Sequence, residues 1–135
     1  MSGGKLKQFT QSASPYEAAF GFSRAVRSGN RILVSGTAPV EADGSSTLGD
    51  AAAQTRRCFA IILGAIRELG GTPADVVRTR MFLVDPADAD AVGAVHGEIF
   101  AAVRPASTMV VIAALLRPEW RIEIEAEALV GDDTA

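Results

Sequence analysis

The sequence predicts a single α+β domain in which two helices cover one face of one β-sheet. Three observations indicate this architecture. The chain has 135 residues, 48% of them apolar, which suffices for one hydrophobic core and is too short for two. Two segments show the apolar period of helices and several others alternate like strands. The segments follow the order ββ-α-β-α-ββ, so both helices have a sheet face to cover.

The first predicted elements form a β-hairpin. Residues 1–18 show no periodicity and are predicted as a tail or a short edge segment, with the single domain spanning residues 19–131. Apolar and polar residues alternate from Phe22 to Arg27, and a second run extends from Arg31 to Ser35. Between the two runs lie residues 28–30, Ser-Gly-Asn, which favour a turn.

The middle of the chain predicts a helix, a strand and a second helix. Asp50 is a candidate N-cap for the first helix, which residues 70–71, both glycine, end. Its apolar face is formed by Thr55, Phe59, Ile62, Ile66 and Leu69. A strand is predicted from Val76 to Val84, with Val77, Thr79, Met81 and Leu83 on its buried face. The second helix begins at residues 85–88 and ends at 104–105, and its apolar stripe is Val92, Val95, Ile99 and Val103.

Two strands are predicted after the second helix, at residues 108–115 and 121–130. The last strand places Glu123, Glu125 and Glu127 on one face, about 7 Å apart. Three like charges on one face require water or cations. One interpretation is a solvated face paired with cross-strand arginines such as Arg78 and Arg80. The other is that one glutamate lies in a cleft as a general base or water-orienting group.

Composition excludes several classes of function. The 13 Lys and Arg residues and 16 Asp and Glu residues give a net charge of −3, so no global positive field attracts nucleic acid. The longest apolar run, residues 109–116, is too short to span a membrane. The polar first residues favour a cytoplasmic location. We also expect no metal or cofactor, because zinc spacings, phosphate loops and dinucleotide fingerprints are absent from the sequence.

Single residues offer weaker signals. Cys58 is the only cysteine, which excludes an internal disulfide, and it is predicted as a small core residue rather than a nucleophile. His96 is the only histidine and is either a helix-flank residue or an interfacial proton carrier. Gly36 follows Ser35 at a strand end, where a ligand could approach the backbone, although such a pair often only makes a turn. Arg104 could bind a carboxylate or favour a helix C-terminus.

Taken together, these segments resemble the YjgF/RidA (Rid) superfamily over residues 22–130. The final strand and the order of the elements are the specific part of the resemblance. The matching segments are ILVSG at 32–36, AQTR at 53–56, VVRTR at 76–80 with the strand running to Asp85, RPAST at 104–108 and IEIEA at 122–126.

The resemblance implies a fold and an activity. The fold is chorismate-mutase-like, a single mixed sheet with two helices on one face, assembled as a homotrimer with ligand clefts between subunits. The best-studied branch hydrolyses 2-imino or enamino acids without a cofactor. There a final-strand glutamate orients the attacking water, and this position is Glu123. A serine-glycine strand end shapes the pocket, and these positions are Ser35 and Gly36.

Three positions depart from the family pattern. Ser107 stands where the family has a carboxylate-binding arginine, Phe22 where it has a pocket tyrosine, and Gly93 where it has an asparagine. A serine hydroxyl cannot make the bidentate, charge-assisted contact of a guanidinium, which is worth roughly 1.5 to 3 kcal/mol. An imino-acid substrate would then lose about one to two orders of magnitude in transition-state binding. Arg104 could substitute for the missing arginine from another direction.

Two functional hypotheses follow from these residues. The first is a cofactor-free hydrolase, or deaminase, of small imines, enamines or related metabolites. In it Glu123 positions water, Ser107 or the Met109 amide holds the developing oxyanion, and Phe22 walls the pocket. The second is a non-catalytic trimer, chaperone-like or binding a small metabolite. An endoribonuclease or translation inhibitor is a third candidate, which the acidic composition disfavours.

Overall fold

The computed structural model describes residues 7–12 and 14–131. The strands and helices are β1 (Gln8–Thr10), α1 (Pro15–Phe20), β2 (Ala25–Ser28), β3 (Arg31–Thr37), α2 (Ala51–Glu68), β4 (Val76–Leu83), α3 (Ala89–Phe100), β5 (Ala106–Val111) and β6 (Ile122–Leu129). Short 3₁₀ turns at Pro73–Asp75 and Pro86–Asp88 precede β4 and α3. None of the helices in these residues is long and apolar enough to cross a membrane.

The six strands form one mixed sheet in the order β1-β2-β3-β6-β4-β5. Only the β4–β5 pair is parallel. This confirms the predicted α+β class with a single sheet. The strand order also places β6 near the centre of the sheet, between β3 and β4, so its side chains can contact residues of both strands.

The core lies between the sheet and the helices. The Asp50 carboxylate accepts the Ala53 N–H at 2.9 Å, which confirms the predicted N-cap of α2. This helix packs against β3, β6 and α3. Alternation along β6 buries Ile122, Ile124, Ala126 and Ala128, whereas Leu129 at the end of the strand is exposed. The largest fully buried apolar side chains are Phe59, Phe100, Ile32, Ile62, Ile66, Leu83, Ile122, Ile124, Val92 and Val95.

Several sequence expectations need correction. Val77 was expected in the core but is 41% exposed, because a register shift between Val76 and Arg78 turns Val76 inward instead. The second predicted helix is α3, which ends at Phe100 rather than at the predicted residues 104–105. Arg104 lies beyond this end and adopts a left-handed φ of 58°. The strand predicted at 108–115 occupies Ala106–Val111.

The predicted N-terminal segment falls partly on residues 1–6 and 13, which lie outside the described residues. Where the structure describes it, β1 pairs with β2 at the sheet edge. The six-residue helix α1 was not predicted. It begins with Pro15 after the N-cap Ser14, and Gly21 ends it with a left-handed φ of 78°.

Candidate functional site

A cavity of about 610 Å³ lies between α1, α2 and the ends of β3 and β6. Four of the residues predicted for the site line it. They are Phe22, Ser35, Gly36 and Glu123. The β3–β6 pairing brings them together, because the end of β3 lies beside the start of β6.

Glu123 lines this cavity from the start of β6. Its carboxylate lies so close to Gly36 that a Cβ there would be 2.6 Å from Glu123 Oε2. The missing side chain of Gly36 therefore makes room for the carboxylate. Burial raises the pKa of Glu123; Arg24 opposes this effect and Glu125 adds to it. A raised pKa makes this carboxyl group a stronger base than an ordinary glutamate, which suits general acid–base chemistry.

The other two glutamates of β6 are surface ion-pair partners. Arg80 Nη1 lies 2.9 Å from Glu125 Oε1 and 3.3 Å from Glu127 Oε2. Arg78 Nε and Arg31 Nη2 lie 3.7 and 3.6 Å from Glu127. The cross-strand pairing predicted for Arg78 and Arg80 is thus confirmed, and Glu123 is the glutamate that enters the cavity.

A buried ion pair supports the wall of the cavity behind Gly36. Arg24 and Glu17 are 5% and 2% exposed, and Arg24 Nη1 lies 3.7 Å from Glu17 Oε2. Arg24 Nη2 donates to the Gly36 carbonyl at 2.8 Å. The backbone N–H and the hydroxyl of Ser12 both donate to the Glu17 carboxylate.

Sequence analysis missed this ion pair as part of the site. The Arg24 charge within an alternating segment was the one available signal. Glu17 gave no signal in the sequence, because it is the fold of the chain after α1 that brings Arg24 beside it. The positive charge of Arg24 lowers the pKa of the Glu123 carboxyl group against the effect of burial.

The rest of the cavity wall is largely apolar. Tyr16 and Phe20 stack with ring centroids 5.4 Å apart, and Phe22, Ile61 and Trp120 are among the other apolar residues of the wall. The Trp120 indole N–H donates to Ser46 Oγ at 2.9 Å, so the one polar group of this side chain has a hydrogen-bond partner. The Ser35 hydroxyl donates to the Ser23 carbonyl at 2.8 Å, so it fixes the backbone of the strand end.

The remaining predicted residues lie elsewhere in the chain. Gly93, Arg104, Ser107 and Met109 do not line this cavity. Ser107 and Glu123 are separated by two strand spacings and three residues of register, or about 14 Å. A Cβ on Gly93 would lie 3.8 Å from Met109 Cε, so these two residues adjoin each other between α3 and β5.

Ser107 belongs to a chain of hydrogen bonds with two residues of the core edge. The Thr79 hydroxyl donates to Ser107 Oγ at 2.8 Å and lies 2.8 Å from His96 Nε2. His96 packs beside Phe59 and Phe100, with ring centroids 5.8 and 4.8 Å away. Burial lowers its pKa. The Thr79 hydroxyl thus links the Ser107 hydroxyl to the His96 ring.

Neither the cysteine nor a metal cluster adds to the site. Cys58 is fully buried, as predicted for a core residue, and burial raises the pKa of its thiol. Within residues 7–12 and 14–131, no group of three or more His, Cys, Asp or Glu side chains could hold a metal ion.

The single mixed sheet, with a cavity beside its central strand β6, places this chain in the class of small α+β domains. The chain belongs to the Endoribonuclease L-PSP family, whose sequence model matches residues 11–130. This confirms the resemblance to the YjgF/Rid group. The fold agrees with a crystal structure of the YjgF/YER057c/UK114 family member Rv2704 from Mycobacterium tuberculosis. The two share 40% identity and a TM-score of 0.85, with 93% of this chain and 100% of the other covered.

Three further relatives match most of the chain, and one of them is named as an enzyme. The E. coli YjgF product is 28% identical with a TM-score of 0.79, covering 90% of this chain and 98% of the other. An uncharacterized protein of Streptomyces coelicolor is 40% identical over 90% of each chain. The 3-aminoacrylate deaminase RutC of Acinetobacter baylyi is 36% identical, covering 78% of this chain and 84% of RutC.

Proposed function

We propose that this protein is a cofactor-free hydrolase that converts imines or enamines into carbonyl compounds and ammonia. The observation that carries the proposal is the Glu123 carboxylate, held against Gly36 inside a cavity of about 610 Å³. Its raised pKa suits a group that alternately accepts and returns a proton. The name of the relative RutC, a 3-aminoacrylate deaminase, supports the same reaction class.

The proposed reaction needs only water and this carboxylate. Glu123 accepts a proton from water as the water oxygen attacks the C=N carbon of an iminium ion, which forms when an imine is protonated at nitrogen or an enamine at carbon. The resulting carbinolamine carries hydroxyl and amino groups on one carbon. Glu123 then returns its proton to the nitrogen, the C–N bond breaks as ammonia leaves, and the hydroxyl proton passes back to Glu123 as the hydroxyl oxygen becomes the carbonyl. Release of this proton to water restores the carboxylate.

We further propose a homotrimer in which a neighbouring subunit completes each cleft. Ser107 is exposed and lies about 14 Å from Glu123 of its own chain, so one chain cannot bring both residues to one substrate. The exposed Ser107 hydroxyl suits an oxyanion donor from a second subunit. Sedimentation equilibrium tests this directly: a mass of three chains supports the assembly, and a monomer at catalytic concentrations overturns it.

A non-catalytic metabolite-binding protein is the second candidate. The observation that favours it is Ser107, because a neutral hydroxyl replaces the charged group that would anchor a carboxylate in the transition state. An RNA substrate is disfavoured by the net charge of −3.

The test is hydrolysis of 2-aminoacrylate or 2-iminopropionate generated in situ, together with imines that lack a carboxylate. The wild type is compared with Glu123→Gln and with the control Glu127→Gln, which alters another glutamate of β6 that is paired to Arg80. We expect Glu123→Gln to lose about 10²- to 10⁴-fold in rate and the control to keep its rate. Equal rates for the wild type and Glu123→Gln would eliminate the glutamate mechanism. No acceleration by the wild type on any imine would favour the binding protein.

A further inference from the structure

We infer that His96 is a positioning residue for Ser107: through the Thr79 hydroxyl, a proton on His96 Nε2 turns the Ser107 hydroxyl outward as a hydrogen-bond donor. The inference rests on the proposed function in one respect, because it takes Ser107 as the oxyanion donor of a cleft. Two observations carry it. The three side chains form a continuous path of hydrogen bonds, and the middle member of that path is buried.

The fold brings these three side chains together within one chain. Thr79 of β4 and Ser107 of β5 are direct neighbours in the parallel strand pair, and α3 places His96 beside Thr79. Gly93, which lies one turn before His96 on α3, adjoins Met109 two residues beyond Ser107 on β5. The path is therefore internal to the chain and does not depend on which surfaces a neighbouring subunit covers.

The path leads from a partly buried ring to an exposed hydroxyl. Thr79 is fully buried, whereas His96 is partly buried and Ser107 is exposed. Thr79 Oγ1 lies 2.8 Å from His96 Nε2 and 2.8 Å from Ser107 Oγ. A buried hydroxyl relies on its protein partners because water does not reach it. The state of the ring is thus passed to Ser107 and is not lost to solvent.

The single proton of the Thr79 hydroxyl gives the path a direction. Thr79 can donate to only one of its two partners at a time. When it donates to Ser107, as in the structure, its lone pair accepts a proton from His96 Nε2, and the Ser107 proton points away from Thr79. When Nε2 has no proton, Thr79 donates to the ring, and Ser107 donates to Thr79 instead. The ring therefore decides whether Ser107 offers a ligand a donor or only lone pairs.

The charged groups around α3 do not hold His96 in one charge state. Arg56 of α2 pairs with Glu98 of α3 at 3.3 Å, and both side chains are exposed. The Cys58 thiol of α2 is buried, which raises its pKa and keeps it neutral. The arginines of β4 pair with glutamates of β6 on the sheet face opposite to Thr79. The other titratable groups of this region are Asp85, Asp88 and Asp90 near the start of α3 and Arg104 beyond its end.

Protonation of His96 fixes the direction of the path. Burial lowers the pKa of His96 below its ordinary value of 6.5, so the ring is largely neutral at neutral pH and its two tautomers allow both directions. As the pH falls through the pKa of His96, both ring nitrogens carry protons, and only the direction toward Ser107 remains. Acidification thus gives the cleft a committed donor for a negatively charged oxygen.

The first test is the pKa of His96, measured by NMR on the full-length protein with isotope-labelled histidine. His96 is the only histidine of the chain, so after removal of any histidine tag its signals are unambiguous. Ser107→Ala removes the acceptor that Thr79 needs when the ring is protonated. We expect this variant to lower the pKa of His96 by about 0.5 to 1, the effect of one hydrogen bond present only in the charged state.

The control and the contrary outcome are both defined for this titration. Thr108→Ala alters the next residue of β5, which is also exposed, and should leave the pKa of His96 as in the wild type. If Ser107→Ala only admitted water, the pKa of His96 would stay the same or move up toward 6.5. Either of those results would overturn the inference. Because Ser107 is exposed, this variant does not disturb the core.

The second test follows catalysis through Thr79. Thr79→Val keeps the shape of the side chain and removes its hydroxyl. The ratio of the wild-type kcat/KM to that of Thr79→Val cancels the ionisation of the substrate and of Glu123. We expect this ratio to increase roughly threefold to tenfold as the pH falls through the pKa of His96, which is the value of one hydrogen bond. Thr79→Ser should restore the wild-type profile. A ratio that is constant with pH would show a packing role for Thr79 and would overturn the inference.

Titration and turnover separate this inference from the proposed function. A lowered pKa of His96 in Ser107→Ala, without turnover of any imine by the wild type, supports the link between His96 and Ser107 and overturns the hydrolase. Glu123-dependent turnover with an unchanged pKa of His96 in Ser107→Ala supports the hydrolase and overturns the link. A lowered pKa together with a pH-dependent rate ratio supports both.

Discussion

The contact between Gly36 and Glu123 makes Gly36→Ala a sensitive test of the site. A Cβ at position 36 would lie 2.6 Å from Glu123 Oε2 and 3.2 Å from its Cδ, whereas ordinary contact begins at 3.4 Å. The carboxylate must therefore retreat by about 0.8 Å, the difference between 2.6 and 3.4 Å. Displacements near 1 Å cost about 10²-fold in rate, which corresponds to roughly 2.7 kcal/mol of transition-state stabilisation.

The same substitution should leave the fold intact. The atom that must move is the end of a flexible side chain, so the backbone can keep its position. Replacing glycine by alanine also reduces the conformational entropy of the unfolded chain, which favours folding. We expect kcat/KM for imine hydrolysis to fall about 100-fold, while the free energy of unfolding changes by less than about 1 kcal/mol. Both quantities are measured on the same preparation, by ammonia release and by urea unfolding.

Gly64→Ala is the matched control. Gly64 is exposed on α2, where an added Cβ meets nothing within 4 Å, so alanine should stabilise the helix by about 0.4 to 1 kcal/mol without changing the rate. A Gly36→Ala protein with the wild-type rate would refute the functional contact. An unfolded Gly36→Ala protein would refute the argument that the Glu123 carboxylate moves aside while the fold is kept.

Three further predictions concern ionisable groups. Because the folded-state pKa of Glu123 lies above its ordinary value of 4.5, its ionisation opposes folding at neutral pH. Glu123→Gln should therefore raise the melting temperature at pH 7, and this gain should vanish below pH 4.5. The lowered pKa of His96 means that the unfolded state binds its proton first, so stability should fall as pH decreases through 6.5, and the fall should be smaller in His96→Gln. Arg24→Met leaves Glu17 buried without its cation and should cost roughly 3 to 5 kcal/mol in urea unfolding; adding Glu17→Gln should recover part of that loss, and no recovery would contradict the ion-pair argument.

Local patterns predicted much of the fold from the sequence. Asp50 and the apolar period after it predicted α2, and the alternation of β6 predicted both its buried face and its row of glutamates. These signals are local, because a cap or an alternation depends on neighbours within a few residues. Val77 was misplaced since a register shift depends on the partner strand, and α1 was missed because six residues carry too short a period.

The candidate site was only partly predictable. The glutamate row alone could not say which carboxylate enters a cavity, and the family resemblance singled out Glu123. The structure adds the reason: arginines from neighbouring strands pair with Glu125 and Glu127, and register across β4 and β6 decides this. The Arg24–Glu17 pair was missed because it depends on how the chain returns after α1. Within one chain Ser107 and Glu123 lie about 14 Å apart, so their meeting in a cleft between subunits stays a prediction.

The pH dependence of kcat/KM for imine hydrolysis tests the role of Glu123 most directly, after correction for the uncatalysed rate and for the ionisation of the substrate itself. The carboxylate must be ionised to accept a proton from water, so kcat/KM should rise with pH, with a midpoint above 4.5. Arg24 lowers the pKa of Glu123, so Arg24→Met, if folded, should move the midpoint upward. Glu123→Gln should lose the rise altogether. An unchanged profile in Glu123→Gln would contradict the central claim that this carboxylate activates the water.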